Sequence, residues 1–387
     1  MLPSNKKIGI IGGGQLGKML IEAGQPWNID YTILETSPAP AANAANRHIE
    51  GSLMDAGKIA ELATACDILT YEIEHINIDV LLKLEAQGKK IIPSPRILEI
   101  IQDKGLQKLF FQDHQIPSTY FELVENSAQW AEKLPKLKGG KVAAKLRKGG
   151  YDGKGVELVN KQEMLDDPGK IPFDGPVVLE EFVENAVELS VIVARNEAGD
   201  ICTFPTVEMQ FDPVANLVEF LFSPANISRE VDEKAKLIAM ETILKMQGVG
   251  LFAVEMFMDQ HQAIYVNEIA PRPHNSGHHT IEACYTSQYE QLNRILLDLP
   301  LGDTSLIKPA AMINLLGFEG VQGAYEITGL DHILKIPGVY IHLYNKAETK
   351  PKRKMGHITI IGDTLDQVKE NASKVKRYLG MRKMASA

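Results

Sequence analysis

Short apolar runs alternate with amphipathic segments over the first hundred residues. The apolar runs of strand length are residues 7–11, 31–34, 68–71 and 91–92. The segments with helical spacing pass through Met19, Leu20 and Ala23 and through residues 80–84. This βαβ alternation predicts a parallel sheet with helices on both faces. We therefore expect a Rossmann-like domain over residues 1–103, in which the proline-rich residues 93–95 end the last strand–helix unit.

The pattern changes near residue 104. A helix ends near Gln112, and a longer helix covers residues 227–246. Apolar strands separated by Gly and Pro turns occupy residues 142–146, 156–159, 177–181, 187–194, 251–258 and 263–269. Antiparallel strands with few helices are typical of an α+β domain, which we expect over residues 104–302. Further strands predict a small β-rich domain over residues 303–387, so the fold class is α/β followed by α+β.

Composition narrows the function classes. The chain has 387 residues, of which 44% are hydrophobic, and a formal net charge of -9. An acidic chain argues against nonspecific nucleic-acid binding, which needs a basic surface. No apolar run approaches the roughly 20 residues that span a bilayer, and no signal peptide is visible, so we expect a cytoplasmic protein without a membrane partner. The three cysteines are far apart and fit neither a disulfide framework nor a zinc site.

A glycine-rich turn, Gly-Gly-Gly-Gln-Leu-Gly at residues 12–17, lies between the first strand and the first helix. Glycines let the backbone approach an anion, and a helix N-terminus supplies free N–H groups. Glu35, at the end of the second strand, resembles the acid that binds ribose in a dinucleotide site. Three interpretations stay open: a phosphate or substrate cradle, the NAD site of an oxidoreductase, and a packing turn without a ligand.

A second glycine-rich loop, residues 147–155, is a stronger signal. It contains four glycines and three cations between two strands. Such a loop suits a triphosphate, because backbone N–H groups and lysine neutralise its oxygens. No Gly-Lys-Ser/Thr enters a helix here, so the loop is not a Walker A motif. Lys145, on the preceding apolar strand, is a predicted phosphate ligand.

Two acids in apolar strands predict a metal site. Glu255 and Glu268 have mostly apolar neighbours. If residues 259–262 form a four-residue loop, Met258 faces Ala263 and the two acids become diagonal neighbours, about 7–8 Å apart at the backbone. Two buried carboxylates repel unless a cation lies between them, and Mg²⁺ prefers oxygen ligands. The alternative is a pair of acids facing solvent.

Other acids are weaker signals. Glu180 and Glu181 end an apolar strand, where backbone groups can hydrogen-bond an adenine edge. Glu188 lies within another apolar strand, and a charge there is costly unless it is paired.

Polar loops near the acid pair and near the C-terminus complete the set of candidates. Arg272 and His274 directly follow the second acid strand, where Arg272 could hold an anion and His274 could hydrogen-bond a substrate. Lys346 and the basic residues 352–354 fit an anion site and a solvated turn equally well on sequence alone.

Taken in order, these motifs resemble a known family. The resemblance rests on residues 12–17, Tyr71-Glu72-Ile73-Glu74, the loop 149–155, residues 267–277 and Arg353-Lys354-Met355-Gly356-His357. The chain resembles N5-carboxyaminoimidazole ribonucleotide synthetase, the PurK family of the ATP-grasp superfamily, from about residue 8 to 361. The resemblance implies an ATP-grasp fold and an ATP-dependent carbon–nitrogen ligase of purine biosynthesis, which carboxylates 5-aminoimidazole ribonucleotide with bicarbonate through carboxyphosphate. It also implies ATP and Mg²⁺ (or Mn²⁺) as cofactors and a homodimer.

The resemblance also implies roles for individual residues. The implied metal ligands are Glu255 and Glu268, and the implied catalytic residues are Asp152, Arg272 and His274. The implied ATP-binding residues are Lys104, Lys145, Gly150, Tyr151, Asp152, Gly153, Lys154, Gly155, Val156, Glu180, Glu181, Phe182, Val183, Glu188, Asn267 and Glu268. The implied substrate-binding residues are Gln15, Leu16, Glu74, Tyr151, Asp152, Arg272, His274, Lys346 and Arg353.

Two positions depart from the family pattern. Lys104 stands where the family usually has a nucleotide-binding arginine, which keeps the charge but loses the planar fork. Phe211 stands where a nucleotide-contacting histidine is common, so we expect no ATP role for it. Rival functions are a formate-dependent glycinamide ribonucleotide transformylase, a biotin carboxylase and, from a different class, an NAD-binding oxidoreductase.

Overall fold

The structure is a computed structural model that describes residues 6–150, 155–211 and 218–384. Its N-terminal unit is a parallel sheet with the strand order β3–β2–β1–β4–β5. The elements are β1 (Lys7–Ile11), α1 (Gln15–Gly24), β2 (Asp30–Glu35), β3 (Arg47–Glu50), α2 (Ala56–Ala65), β4 (Ile68–Tyr71), α3 (Ile78–Ala86) and β5 (Lys90–Ile91).

Both faces of this parallel sheet are covered, as predicted. Ile8 and Ile10 pack into one apolar cluster with α1, whereas Ile11 packs into another with α2. The sequence reading missed β3 and α2. In β3 only Ile49 is buried, so that strand has almost no apolar signal.

The proline-rich segment was expected to end the strand–helix alternation, and this prediction was wrong. A further helix, α4 (Pro95–Gln102), begins within it. Proline is well tolerated in the first turn of a helix, and the Ser94 hydroxyl caps the helix by accepting the Arg96 N–H. Asp103 then caps α5 (Lys104–Asp113).

An antiparallel sheet of order β6–β9–β7–β8 follows. Its elements are β6 (Phe121–Val124), α6 (Trp130–Lys133), β7 (Lys141–Leu146), β8 (Val156–Asn160), α7 (Lys161–Asp166) and β9 (Val177–Glu181). The glycine-rich loop joins β7 to β8. Trp130 and Leu134 are buried against the apolar residues of this sheet.

The large sheet has the order β15–β14–β10–β12–β13–β16–β19–β18, with β11 paired to β10. Its strands are β10 (Val187–Arg195), β11 (Ile201–Thr203), β12 (Val207–Phe211), β13 (Val218–Ser223), β14 (Gly250–Met258), β15 (Ile264–Ala270), β16 (Ala310–Leu316), β18 (Val339–Leu343) and β19 (Lys354–Ile361). The strands β17 (Tyr325–Thr328) and β20 (Gly380–Lys383) pair with each other. The remaining helices are α8 (Arg229–Lys245), α9 (Thr280–Ala283), α10 (Gln288–Leu296), α11 (Leu330–Ile333) and α12 (Leu365–Tyr378).

The β13–β16 pairing carries the large sheet from the predicted middle domain into the predicted C-terminal domain. The boundary at residue 303 stays a prediction. Helix α8 covers one face, where Ala235 and Ile238 join the apolar cluster of Val191 and Val254. No helix in the described ranges is long and apolar enough to cross a bilayer.

Candidate active site

The predicted acid pair lies on the β14–β15 hairpin, in a different register from the one expected. Met258 faces Ile264 instead of Ala263, and the register shifts between Glu255 and Met256. Asn267 is left out of the pairing as a β-bulge, so Glu255 lies directly opposite Glu268 rather than diagonal to it. The apolar pattern does not predict this bulge, because the extra residue, Asn267, leaves the spacing of the apolar residues earlier in β15 unchanged.

Three carboxylates share this face of the sheet. On the neighbouring strand Ser190 faces Glu255, so Glu188, two residues earlier, points to the same side. Burial, reinforced by the charges of Glu268 and Glu188, raises the pKa of Glu255 to about 8. Burial also raises the pKa of Glu188 to about 7. These shifts mean that the face tolerates full ionisation only when a cation is added.

Glu268 is the acid of this face that already has a cation. The Lys104 ammonium forms an ion pair with Glu268 and, by its charge, lowers the pKa of that carboxyl to about 2. The amine of Lys104 thus lies at the edge of the predicted metal site. Among the described residues, no group of three or more His, Cys, Asp and Glu side chains is arranged to hold a metal ion. A divalent cation here would depend on two carboxylates and on oxygen ligands from elsewhere.

His274 extends the acid face. Its Nε2 lies 3.1 Å from Glu255 Oε1, and its Nδ1 accepts the backbone N–H of Ser276 at 3.3 Å. An accepting Nδ1 places the ring proton on Nε2, which donates to Glu255. The Ser276 hydroxyl is 2.9 Å from the same Nδ1 and 2.8 Å from the Ser190 hydroxyl, which fixes the ring orientation.

Arg272 joins the loop after β15 to the N-terminal unit. Its Nη2 lies 2.8 Å from Glu74 Oε1, and both side chains are partly exposed. Glu74 comes from the segment that follows β4, so two residues predicted to bind substrate meet across the interface between two units.

The glycine-rich turn before α1 already has an anion, and it is a side chain of the protein. The buried Glu72 carboxylate accepts the N–H groups of Gly14 and Gly17, and Glu35 accepts that of Gly13 at 3.2 Å. Burial raises the pKa of Glu72. A Cβ on Gly14 would come within 2.8 Å of the Glu72 carboxylate, which explains the glycine.

This arrangement changes the interpretation of the turn. A dinucleotide pyrophosphate would have to displace Glu72 from the helix N-terminus, which argues against the NAD site. Sequence reasoning noted the motif around Glu72 but not this role. The available signal was an acid placed directly after a short, mostly apolar strand. Of the two turn residues predicted to bind substrate, Leu16 is buried and Gln15 is partly exposed.

Lys145 is part of a buried charge cluster between the two antiparallel sheets. Its Nζ lies 2.8 Å from Asn267 Oδ1 and 3.0 Å from Glu180 Oε1. The other oxygen of Glu180 lies 3.1 Å from the Lys108 Nζ. Burial alone would raise the pKa of Glu180, but the Lys145 and Lys108 charges outweigh it and lower the pKa to about 2. Sequence reasoning missed Lys108, since a helix lysine usually indicates solvent.

The residues that follow Glu180 at the end of β9 are more exposed than Glu180 itself. The Glu181 carboxylate accepts the Lys138 N–H at 2.8 Å, and Phe182 is exposed. Val183 is partly exposed, and Phe211, at the end of β12, is half-buried. The ATP-binding roles predicted for residues 180–183 stay predictions.

The described part of the glycine-rich loop is anchored at both ends. Arg147 binds both oxygens of Asp103 at 2.9 and 2.8 Å, and Leu146 donates its N–H to the Gly155 carbonyl at 2.8 Å. Gly155 has a φ of +75°, which favours glycine, and Val156 begins β8 opposite Lys145. Tyr151, Asp152, Gly153 and Lys154 lie outside the described residues, whereas Gly150 lies within them.

The two basic residues predicted to clamp a phosphate near the C-terminus have different partners. Lys346 donates to the Lys354 carbonyl at 2.7 Å. Arg353 donates to the Glu348 carbonyl at 2.7 Å and lines a cavity of about 410 Å³. The Lys18 amine, which sequence reasoning also missed, reaches the Leu343 carbonyl at 3.5 Å and brings α1 next to the C-terminal strands.

Comparison with known proteins finds three regions of the chain that match known protein families. Residues 5–102 match the ribonucleotide synthetase preATP-grasp domain, residues 109–289 the ATP-grasp domain, and residues 310–371 the phosphoribosylaminoimidazole carboxylase C-terminal domain. The N5-carboxyaminoimidazole ribonucleotide synthase of Synechococcus elongatus is 36% identical over 91% of this chain and 89% of that protein. The chain belongs to the N5-carboxyaminoimidazole ribonucleotide synthase family.

Solved structures agree with this family assignment. The N5-carboxyaminoimidazole ribonucleotide synthetase of Thermotoga maritima has a TM-score of 0.88 and 41% identity, covering 98% of this chain and 100% of that one. The Aspergillus clavatus synthase, solved with ADP and 5-aminoimidazole ribonucleotide, has a TM-score of 0.88 and 30% identity, covering 97% and 98%. The predicted family and the predicted ATP-grasp fold are therefore confirmed.

Some relatives are longer than this chain. The phosphoribosylaminoimidazole carboxylases of Ogataea methanolica and Vigna aconitifolia are 39% and 37% identical to it. The chain spans about two thirds of their length, 67% and 65% respectively. As a synthase-family ligase it matches the shorter family members over most of their length.

Proposed function

We propose that this chain carboxylates 5-aminoimidazole ribonucleotide with bicarbonate, at the cost of ATP, to give N5-carboxyaminoimidazole ribonucleotide in purine biosynthesis. The observation that carries the proposal is the junction of two sheets, where Lys145 and Asn267 meet the opposed acids Glu255 and Glu268. Cationic and acidic groups placed together in this way suit a nucleotide with its metal ion. The family supplies the substrates.

The nucleotide site follows from the same contacts. Lys145 lies at the start of the glycine-rich loop and bonds the bulge residue next to Glu268. From there its ammonium can neutralise phosphate oxygens as charge develops on the transferred phosphoryl group. Lys104, on the far side of Glu268, adds a second cation where the family pattern has arginine. Further predicted nucleotide ligands are Glu188, the loop 150–156 and residues 180–183.

Glu255 and Glu268 would hold Mg²⁺, or Mn²⁺ in its place. The fit rests on their opposed carboxylates and on the pKa of Glu255, raised by burial and by the neighbouring acids. Mg²⁺ takes oxygen ligands and completes its shell with phosphates and water, so two protein carboxylates suffice. When bound, the ion supplies charge neutralisation at the triphosphate.

The reaction needs an activated carboxyl group. Direct attack of the ribonucleotide amine on bicarbonate would expel hydroxide, a poor leaving group. Transfer of the γ-phosphoryl group of ATP to a bicarbonate oxygen gives carboxyphosphate and ADP, and amine attack then expels phosphate. Arg272, which is ion-paired with Glu74, would bind bicarbonate oxygens, and His274, which lies beside Glu255, would hydrogen-bond the substrate. Asp152 is the candidate to orient the amine or accept its proton.

The ribonucleotide phosphate would lie away from the reacting atoms. Lys346 and Arg353 are the predicted clamp, and Gln15 and Leu16, in the first turn of α1, are further predicted substrate-binding residues. Binding energy from a remote phosphate positions the reacting amine. The structure gives Lys346 and Arg353 separate partners, so their joint action on one phosphate is a proposal.

Substrate-dependent ADP release tests the proposed function. We expect release when 5-aminoimidazole ribonucleotide and bicarbonate are added together. Glycinamide ribonucleotide with formate, and biotin with bicarbonate, should leave release at background. Release with either of these alternatives, and none with the aminoimidazole, would assign the chain to another ATP-grasp reaction.

We also propose a cytoplasmic homodimer. The exposed Tyr285 and Ile307, at 65% and 49% exposure, lie on adjacent segments joined by the Ile307 N–H to Ala283 carbonyl bond. Exposed apolar patches of this kind favour association. Light scattering should give twice the mass of one 42.8 kDa chain, and a monomer at micromolar concentration would contradict it.

A further inference from the structure

Glu180 is neutralised twice, although one cation suffices for one carboxylate. Its two oxygens face the amines of Lys145 at 3.0 Å and Lys108 at 3.1 Å. The Glu180 and Lys108 side chains are 4% and 2% exposed, and that of Lys145 is 10% exposed. Burying a second ammonium costs free energy, so its presence calls for a reason.

The two lysines are held very differently. Lys108 also donates to the Thr119 hydroxyl at 3.0 Å, and its amine lies 5.5 Å from the Phe121 ring centroid. Thr119 in turn donates to the same Glu180 oxygen at 2.7 Å. These contacts hold the amine of Lys108, a residue of α5, in a buried position beside strands β6 and β9.

Lys145 lies at the open side of the cluster. Its second partner is Asn267, the bulge residue beside Glu268, and its strand neighbour Val156 follows the glycine-rich loop. Lys145 is therefore the member of the cluster that can reach a triphosphate. When it does so, its contact with Glu180 weakens.

We infer that Lys108 is a positioning residue for nucleotide binding: it keeps Glu180 neutralised while Lys145 turns from that carboxylate to the phosphates of ATP. Without Lys108, movement of Lys145 to the nucleotide would leave the buried Glu180 carboxylate without a cation. This inference rests on the proposed role of Lys145 at the ATP phosphates. It adds a residue that acts only through Lys145 and Glu180 and touches no substrate.

The test compares Lys108→Met in two backgrounds by calorimetric binding of a non-hydrolysable ATP analogue with Mg²⁺. In the otherwise unchanged protein, the variant should bind the analogue about tenfold or more weakly, because one buried charge then lacks a partner. In the Glu180→Gln background, the same substitution should change the affinity by less than about threefold, because the glutamine needs no cation. The second comparison also decides the matter if Lys108→Met alone does not fold.

Adenosine separates this effect from structural damage. It lacks the phosphates that draw Lys145 away, so its inhibition constant should be unchanged in Lys108→Met. Lys133→Met is the matched control: Lys133 of α6 is ion-paired at 3.1 Å with Glu122, which points to the opposite face of β6 from Phe121, so its loss should alter the binding of neither ligand.

Three results would overturn the inference. They are unchanged analogue binding in Lys108→Met, equal weakening of the analogue and adenosine, and a loss of about tenfold or more that persists in the Glu180→Gln background. The proposed nucleotide site has its own test in Lys145→Met. If that variant binds the analogue normally, the role of Lys145 itself is wrong, whatever Lys108 does.

Discussion

Glu255 has the most unusual environment among the acids of the site. It faces Glu268 across the hairpin, shares a face with Glu188 and accepts a hydrogen bond from the Nε2–H of His274, with 3.1 Å between Nε2 and Oε1. With a pKa raised to about 8 by burial and by the other two acids, it is mostly protonated at pH 7 in the free protein. A metal ligand must be ionised, so cation binding has to release this proton.

Proton release on nucleotide binding follows from that environment. At pH 7, binding of a non-hydrolysable ATP analogue with Mg²⁺ should release about one proton per chain from Glu255 and a further fraction of one from Glu188, whose pKa is about 7. The number should fall as the pH rises through about 8, because Glu255 then ionises before the ligand arrives. Calorimetry in buffers of different ionisation enthalpy measures it. Glu255→Gln should release about one proton fewer, and an unchanged count in that variant would assign the proton to another group.

Glu268 is the second residue on which the metal site depends. Glu268→Gln should reduce turnover by about a thousandfold or more, because one ligand charge at the transferred phosphoryl group is lost. The melting temperature should stay within a few degrees, since the side chain is partly exposed. Glu61→Gln, on the surface of α2, is the control. Near-normal turnover of the Glu268 variant would remove it from the site.

The start of α5 shows how one residue links an element to the site. Asp103 caps the helix through the Gly105 and Leu106 N–H groups and binds Arg147 at the start of the glycine-rich loop. Burial would raise its pKa, but Arg147 outweighs burial and lowers it. The Asp103 carboxylate therefore caps α5 and anchors the glycine-rich loop at the same time.

Asp103→Ala should be more costly than the loss of an ordinary cap. We expect the free energy of unfolding to fall by about 2–4 kcal/mol, because the cap is lost and Arg147 loses its main partner. Ser228→Ala, which removes only the cap of α8, should cost about 1 kcal/mol. Denaturant unfolding measures both. Equal losses in the two variants would show that the Arg147 contact contributes nothing.

The strands with a strong apolar pattern could be predicted from the sequence, but the register in which strands pair could not. The strands at residues 7–11, 68–71 and 177–181 coincide with their predicted bounds, because buried β-branched runs have little alternative. The predicted hairpin register was already wrong at the turn, where Met258 pairs with Ile264 instead of Ala263. It shifts again at Asn267, where a bulge depends on tertiary contacts such as the Lys145 hydrogen bond. Lys108 was missed for the same reason, since its partners lie far away in sequence.

At the scale of the whole molecule, the proposed site draws on residues from all three predicted domains. Glu74 comes from the N-terminal unit, Lys145 and Glu255 lie on the two antiparallel sheets, and Lys346 lies in the segment between β18 and β19. The order of the motifs along the chain identified the family. It could not show that Glu72 fills the glycine-rich turn, because this depends on how β4 and α1 meet in space.

The Arg272–Glu74 pair tests this assembly. Glu74→Gln should raise the KM for bicarbonate about tenfold and leave the KM for ATP within about twofold, because it releases Arg272, the proposed bicarbonate ligand, without touching the nucleotide cluster. Steady-state kinetics with each substrate varied in turn measures the split. An equal rise in both constants would point to a general loss of structure instead.

Oxygen transfer from bicarbonate to phosphate tests the central claim most directly. In the proposed route the γ-phosphoryl group of ATP is bonded to a bicarbonate oxygen, and that oxygen stays with phosphorus when the amine attacks. With oxygen-18 bicarbonate and 5-aminoimidazole ribonucleotide, mass spectrometry should find one labelled oxygen in each phosphate released. Phosphate released at the full rate of product formation but without label would contradict the carboxyphosphate route.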